Sequence, residues 1–409
     1  MKRYKIHIII FLVIFFTNWG IIFFNKKKIA GTYLKYLSNY NLFIKSKEKK
    51  RWIDERFLKD TKDFEGKKIS IEAIDQTYNL INQNLPSEKE NFIRFRIVNN
   101  NLYRYVPKGE ILSKREIPFE KALRTLSKIR KLPDLDIIYS DQDGTPLKGI
   151  NKNFYITQNK DNQAPIFSRA KLKNAPYIIL IPDYHSLSKD WYDDLKKFKI
   201  ENKKSLWEKK KNIAFWRGAL HTDERTKLCD ISLDYKNHLD AGLGTEHSIK
   251  KEHEKFFRGY IKREDQLNYK YLPVLDGIMC TYNGYQWRLL SNSVVFKQES
   301  DEEQWFYDLL KPYTHYIPIK RDMSDLIDRI DFARENDSKC KEISENATKF
   351  IIENLTFEDV YLYLFKTLEN YSKILEFSDS FKRDTIKELE WVNIQYRRKA
   401  NKKFKKYEK

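Results

Sequence analysis

Residues 119–141 read "FEKALRTLSKIRKLPDLDIIYSD". Ala122, Leu123, Leu126 and Ile129 recur at helical spacing, so the first half predicts an amphipathic helix. The second half, "PDLDIIYSD", carries a short apolar run and reads as a buried strand. A helix followed by an apolar strand is the α/β cadence, which sets the expected fold class. The strand runs into Asp141-Gln142-Asp143. Two aspartates one residue apart fit a metal-binding D-x-D pair, a single catalytic carboxylate, or a polar turn after a strand.

The cadence extends in both directions. Upstream, "NFIRFRIVNNNLYRYV" alternates apolar and polar residues around an Asn cluster, which predicts a hairpin. Downstream, "APYIILIPDY" reads as a strand and "WYDDLKKFKIENKKSLWEKK" as an amphipathic helix. "NIAFWRGAL" reads as a strand entering a glycine turn, and "HTDERTKLCDIS" as a helix capped by Thr222 with Asp223 and Glu224 in its first turn. "YKYLPVLDG", "SNSVVFKQ" and "HYIPI" read as further strands. "SDEEQWFYDLL" predicts a helix with a Ser300–Glu303 capping box, and a second box, Thr356–Asp359, opens a helix that runs to about Phe377. Two α/β blocks result, 95–205 and 206–358, joined near Lys203–Lys211. Residues 30–94 read as short helices forming a stalk or extension, and 378–409 as a basic tail.

The chain has 409 residues and a net charge of +20, with 15% aromatic and 41% hydrophobic residues. This composition argues against global disorder. The charge favours anionic partners such as nucleic acid, acidic lipid or phosphorylated substrates. Lysine enrichment alongside Ile and Asn, as in an AT-rich genome, accounts for part of it. No recognised nucleic-acid module is present, so a nucleic-acid partner is not expected. Cys229, Cys280 and Cys340 are widely separated, which disfavours a zinc site or a disulfide framework. Residues 6–24 are almost continuously apolar and flanked by lysines and an arginine, long enough for a membrane-anchor helix. The expected anchor region is 1–29.

Chemistry concentrates in "FWRGALHTDERTK", residues 215–227. A strand ends at Arg217-Gly218 and a helix begins near Thr222, a geometry that offers free N–H groups and a positive dipole end to an anion. Arg217 and Arg225 add charge. The alternative is a surface turn with incidental arginines. Arg288 and Lys297 flank a strand whose carboxyl end is where α/β proteins bind ligands, though both also read as ordinary solvated cations. His315, between aromatic residues, reads as a packing residue or a substrate contact. His247 and His253, six residues apart, do not share a helix face as metal ligands would. No G-x-S-x-G elbow or Walker loop appears.

In combination these stretches resemble glycosyltransferase family 90, which includes capsule-associated and lipopolysaccharide-modifying transferases and protein O-glucosyltransferases. The likeness rests on "LPDLDIIYSDQD", "FWRGALHTDERTK", "YKYLPVLDG", "LLSNSVVFKQES", "EQWFYDLLKPYTHYIPI" and "DLIDRI", in that order over roughly residues 115–375. It implies a GT-B-like fold of two Rossmann-like domains facing across a cleft, the helix at about 359–377 completing the first. It implies inverting, metal-independent transfer from a UDP-sugar, with Asp143 as general base and Asp141 as a turn or supporting residue. Donor-diphosphate contacts carry over to Arg217, Gly218, Thr222 and Arg225, with Arg288 and Lys297 beside them. Arg169 and His315 are candidate substrate contacts. The implied acceptor is a lipopolysaccharide core or another glycolipid or capsule glycan, and no cofactor or metal is expected. Three other readings stand beside it: a metal-dependent D-x-D transferase of GT-A type, a protein O-glycosyltransferase, and a basic membrane-tethered binding protein. The expected location is the membrane, with the catalytic domain at the cytoplasmic face or, alternatively, lumenal.

Overall fold

Asn99 and Asn100 turn the chain at φ 50° and 66°. They join Phe92–Val98 to Asn101–Tyr105 as the expected antiparallel hairpin. A two-residue hairpin loop with left-handed backbone at both positions matches the strands' twist, and asparagine tolerates that backbone. The computed structural model describes residues 51–84, 92–107, 117–141, 163–244, 251–378, 380–387 and 390–396. The anchor segment 6–24 and Asp143 lie outside them. Among the described residues, no helix is long and apolar enough to cross a membrane.

The hairpin belongs to a six-stranded mixed sheet, in the order Trp391–Asn393, Asn101–Tyr105, Phe92–Val98, Leu135–Ser140, Ile166–Ser168, Ile178–Leu180. The last three run parallel. Pro118–Ile129 is the predicted helix and Leu135–Ser140 the predicted strand. All six residues of that strand are buried, as expected for a strand covered on both faces. Its Asp136 accepts from Arg94 Nε and Nη2 and from Arg96 Nε at 2.7–2.8 Å. Burial opposes ionisation, yet the two guanidiniums hold this carboxyl below the usual range. Phe357–Ser372 opens on the predicted Thr356–Asp359 capping box. It packs onto the same sheet, where Tyr371 Oη donates to the Asp136 carbonyl and Tyr363 Oη to that of Leu180.

The second sheet has five parallel strands in the order Ile317–Ile319, Val294–Gln298, Tyr269–Val274, Lys211–Gly218, Leu239–Leu243. In chain order this is 2-1-3-4-5, a doubly wound arrangement. The winding reverses between Lys211–Gly218 and Tyr269–Val274. The crevice outside the carboxyl ends at such a switch point is where this class of fold binds ligands.

Three local expectations need correction. Residues 300–310 do not form a capped helix: Glu302–Glu303 pair antiparallel with Lys171–Leu172, and only Tyr307–Leu309 make a helical turn. The cause is ionic. Glu303 is buried against Arg56 Nη2 at 2.9 Å, and Lys171 Nζ donates to Asp60 at 2.7 Å beside it. Helix 51–60 and helix Ile71–Asn84 lie in the region read as a stalk or extension, and they are built into the body, not held away from it as a stalk. Trp52 stacks on Trp305 and Tyr363, and Arg56 is 3% exposed. Finally, the segment read as a basic tail holds a helix, Phe381–Lys387, and an edge strand, Trp391–Asn393. Arg96 lies 4.1 Å from the Trp391 ring centroid and 5.0 Å from that of Phe381, so cation–π contacts hold this segment.

Candidate active site

At the carboxyl end of Lys211–Gly218 the Trp216 ring covers Gly218. A Cβ there would sit 2.4 Å from Trp216 Cζ2, so glycine lets the chain turn. Thr222 stands at the N-cap of helix Asp223–Asp234 with extended backbone, as expected, but makes no side-chain cap bond. Its Oγ1 is buried and unpartnered. Thr222 lines a cavity of about 490 Å³ together with His221, Glu224, Asp276, Gln298 and Arg321. The helix begins at this cavity, where the positive end of its dipole favours an anion. Carboxylates on the remaining walls suit ligand hydroxyls instead.

Arg225 ties the switch point together. Its Nε donates to the Asp276 carbonyl at 2.9 Å, Nη1 to that of Ala219 at 2.9 Å and Nη2 to that of Leu275 at 3.4 Å. Burial among neutral carbonyls pushes its pKa down to about 10. Arg288, 5% exposed, bonds among the described residues only within its own helix, Asn283–Leu289, Nη1 to the Gly284 carbonyl, and lies over the Trp287 ring. Its Nε is buried without a partner. Burial, then the charges of Arg225 and Arg263, push its pKa down to about 9. A buried cation held near like charges is costly unless an anion arrives to compensate it.

The other sequence-derived cations are already engaged. Arg217 Nη2 meets Asp240 Oδ1 at 2.8 Å, and its guanidinium lies 4.4 Å from the Phe215 ring centroid. Lys297 Nζ meets Asp276 Oδ1 at 3.1 Å and donates to the Gln298 carbonyl. His315 Nδ1 accepts from the Lys311 N–H at 2.9 Å and its ring packs on Phe350, so its surroundings are those of a packing residue. Burial, then Lys311, lowers its pKa.

The first sheet contributes from its own carboxyl edge. Tyr139 Oη donates to Asp141 Oδ1, and Arg169 Nη2 donates to the Asp141 carbonyl, each at 2.8 Å. The Arg169 guanidinium lies between the rings of Tyr184 and Tyr282, 5.4 and 5.7 Å from their centroids. Tyr282 immediately precedes the helix that carries Arg288, so Arg169 bridges the two sheets' edges. A second bridge runs from Asp183 through Ser186 Oγ to the Gln286 amide, at 2.7 and 2.8 Å.

Sequence reasoning missed Asp276, which pairs with Lys297, and Arg263, which pairs with Asp194 at 2.7 Å beside Arg288. The "LDG" at a strand end was a usable signal for Asp276. Nothing in the periodicity around Arg263 marks it.

Fold and site together define a doubly wound α/β protein with buried cations at its switch point. The description "Glycosyl transferase family 90" matches residues 51–407, and the chain belongs to that family. Protein O-glucosyltransferase 2 of Danio rerio is 29% identical over 289 residues, 68% of this chain and 55% of that protein. Human protein O-glucosyltransferase 3 is 33% identical over 168 residues, 41% of this chain and 33% of that protein. Protein O-glucosyltransferase 1 of Rattus norvegicus is 30% identical over 181 residues, 44% of this chain and 46% of that protein. The matches thus span from a third to about half the length of these relatives.

Proposed function

We propose that the chain transfers a sugar, with inversion and without a metal, from a UDP-sugar to a hydroxyl of a glycan acceptor. The observation that carries this is Arg288, a buried cation that makes no ion pair among the described residues, in the field of Arg225 at the switch point. Arg225, Arg288 and the helix N-terminus at Thr222 supply the charge that a leaving UDP requires, so the β-phosphate is stabilised as the C1–O bond breaks. The carboxylate-rich walls of the cavity at Thr222 accept hydrogen bonds from ribose or hexose hydroxyls. Asp143 takes the acceptor hydroxyl's proton as its oxygen attacks C1 from the opposite face. Asp141, held through both its carboxylate and its carbonyl, sets the start of the segment that leads to Asp143.

Each sheet then forms one Rossmann-like half of a GT-B-like arrangement, 95–205 with 359–377 and 206–358. The acceptor in this reading is a lipopolysaccharide core or another glycolipid or capsule glycan. The apolar segment 6–24 and the basic surface hold the enzyme at the membrane, with its catalytic part at the cytoplasmic face. The names of the relatives, protein O-glucosyltransferases, favour a second reading in which the acceptor hydroxyl belongs to a protein. A panel of nucleotide sugars scored for hydrolysis, with and without EDTA, tests the proposal. Turnover of a UDP-sugar that survives chelation is expected. Loss of turnover restored by Mn²⁺ would favour the metal-dependent reading, and no turnover with any donor would favour a binding protein.

A further inference from the structure

A second cavity, of about 460 Å³, lies on the other side of the Lys297–Asp276 ion pair from Thr222. The turn from Gln298 to Glu302 lines both cavities. Three tyrosines make its aromatic corner. Tyr307 and Tyr316 stand nearly perpendicular to Tyr285, with ring centroids 5.4 and 6.4 Å away. The far wall is pinned from outside: Asp308 accepts from Arg56 Nη1 and Lys59 Nζ, each at 2.9 Å. The cavity is therefore formed in advance of any ligand.

Charge decides what can enter. Five carboxylates line the cavity against three cations. Two of the cations are committed, Lys297 to Asp276 and Arg321 to Asp301 at 2.7 Å, and so are three of the carboxylates, Asp301 to Arg321 and Glu303 and Asp308 to Arg56. Hydroxyl-rich neutral ligands are favoured. Carboxylates accept hydroxyl protons in pairs, and the C–H face of a sugar ring lies well on an aromatic ring.

We propose that this chamber binds a neutral sugar unit, separate from the sugar being transferred. The proposal goes beyond the donor-site reading, and binding can be measured with no transfer taking place. The experiment is saturation-transfer NMR on the full chain with glucose, galactose, mannose, maltose and lactose as probes. At least one probe receives saturation, and the signal persists when UDP is saturating. Replacing Tyr316 by alanine reduces it about fivefold or more, whereas Tyr316→Phe keeps the ring and the signal. Glu299→Gln, at an exposed position and so without risk to the fold, also weakens it. Three results would overturn the assignment: no signal from any probe, displacement of the sugar by UDP, or saturation of uridine in its place.

Discussion

Arg225 and Arg288 share one buried neighbourhood, and neither forms an ion pair among the described residues. Arg225 spends its donors on three backbone carbonyls that close the switch point, while Arg288 keeps a buried Nε unused. Arg225 therefore lends its charge while it builds the crevice, and Arg288 has a spare donor as well as charge to offer.

This division predicts opposite effects of Arg288→Met on stability and binding. Methionine fills similar volume and removes an uncompensated buried charge, so the variant should be as stable as the parent or more stable by about 1 kcal/mol. UDP affinity should fall about tenfold or more, because a charge-assisted hydrogen bond is lost. Thermal melting and calorimetric titration with UDP check both halves. Unchanged UDP affinity would remove Arg288 from the site.

Asp143→Asn should abolish transfer while leaving UDP binding nearly intact, because the base acts on the acceptor and not on the diphosphate. Donor hydrolysis and UDP titration on one preparation separate the two. Retained transfer would show that another group takes the proton.

Glu303→Gln leaves Arg56 buried with part of its charge uncompensated, although Asp60 and Asp308 remain. Breaking one partner of a buried pair costs about 3–5 kcal/mol, and the remaining carboxylates place the expectation at the lower end. Denaturant unfolding measures it. A cost below about 1 kcal/mol would mean that the cluster behaves as a surface pair.

Lys210 supplies the pH dependence. It is 5% exposed, and Nζ donates to the carbonyls of Leu267 and Ser291 and to Ser293 Oγ. Burial pushes its pKa down to about 7. The unfolded lysine titrates near 10.4, so between about pH 7 and 10 the unfolded chain binds the extra proton. Lys210 therefore destabilises the fold in full below about pH 7, and this is relieved as pH rises toward 10. Unfolding free energies measured from pH 6.5 to 9.5 should rise more steeply in the parent than in Lys210→Met. Parallel slopes would refute the assignment.

Local signals carried much of the architecture. Period-2 alternation around the Asn cluster marked the hairpin, and the Thr356–Asp359 box marked the start of Phe357–Ser372, because both features are made by neighbours in sequence. The same logic failed at Ser300–Glu303. A capping box was available, but Arg56, 247 residues away, claims Glu303. Trp391 looked like part of a basic tail because its partners, Arg94 and Arg96, lie on a strand far upstream.

By itself the sequence determined the α/β cadence, the glycine turn into the Thr222 helix, and the family motifs with Asp141 and Asp143 in their midst. These follow from propensity, spacing and side-chain type, which act over a few residues. Only the tertiary structure decided which cations are still uncommitted. Arg217 meets Asp240 and Lys297 meets Asp276 across neighbouring strands, whereas Arg288 is buried beyond the reach of any described carboxylate. Electrostatic pairing depends on distance in space, and the order of charges along the chain does not encode it.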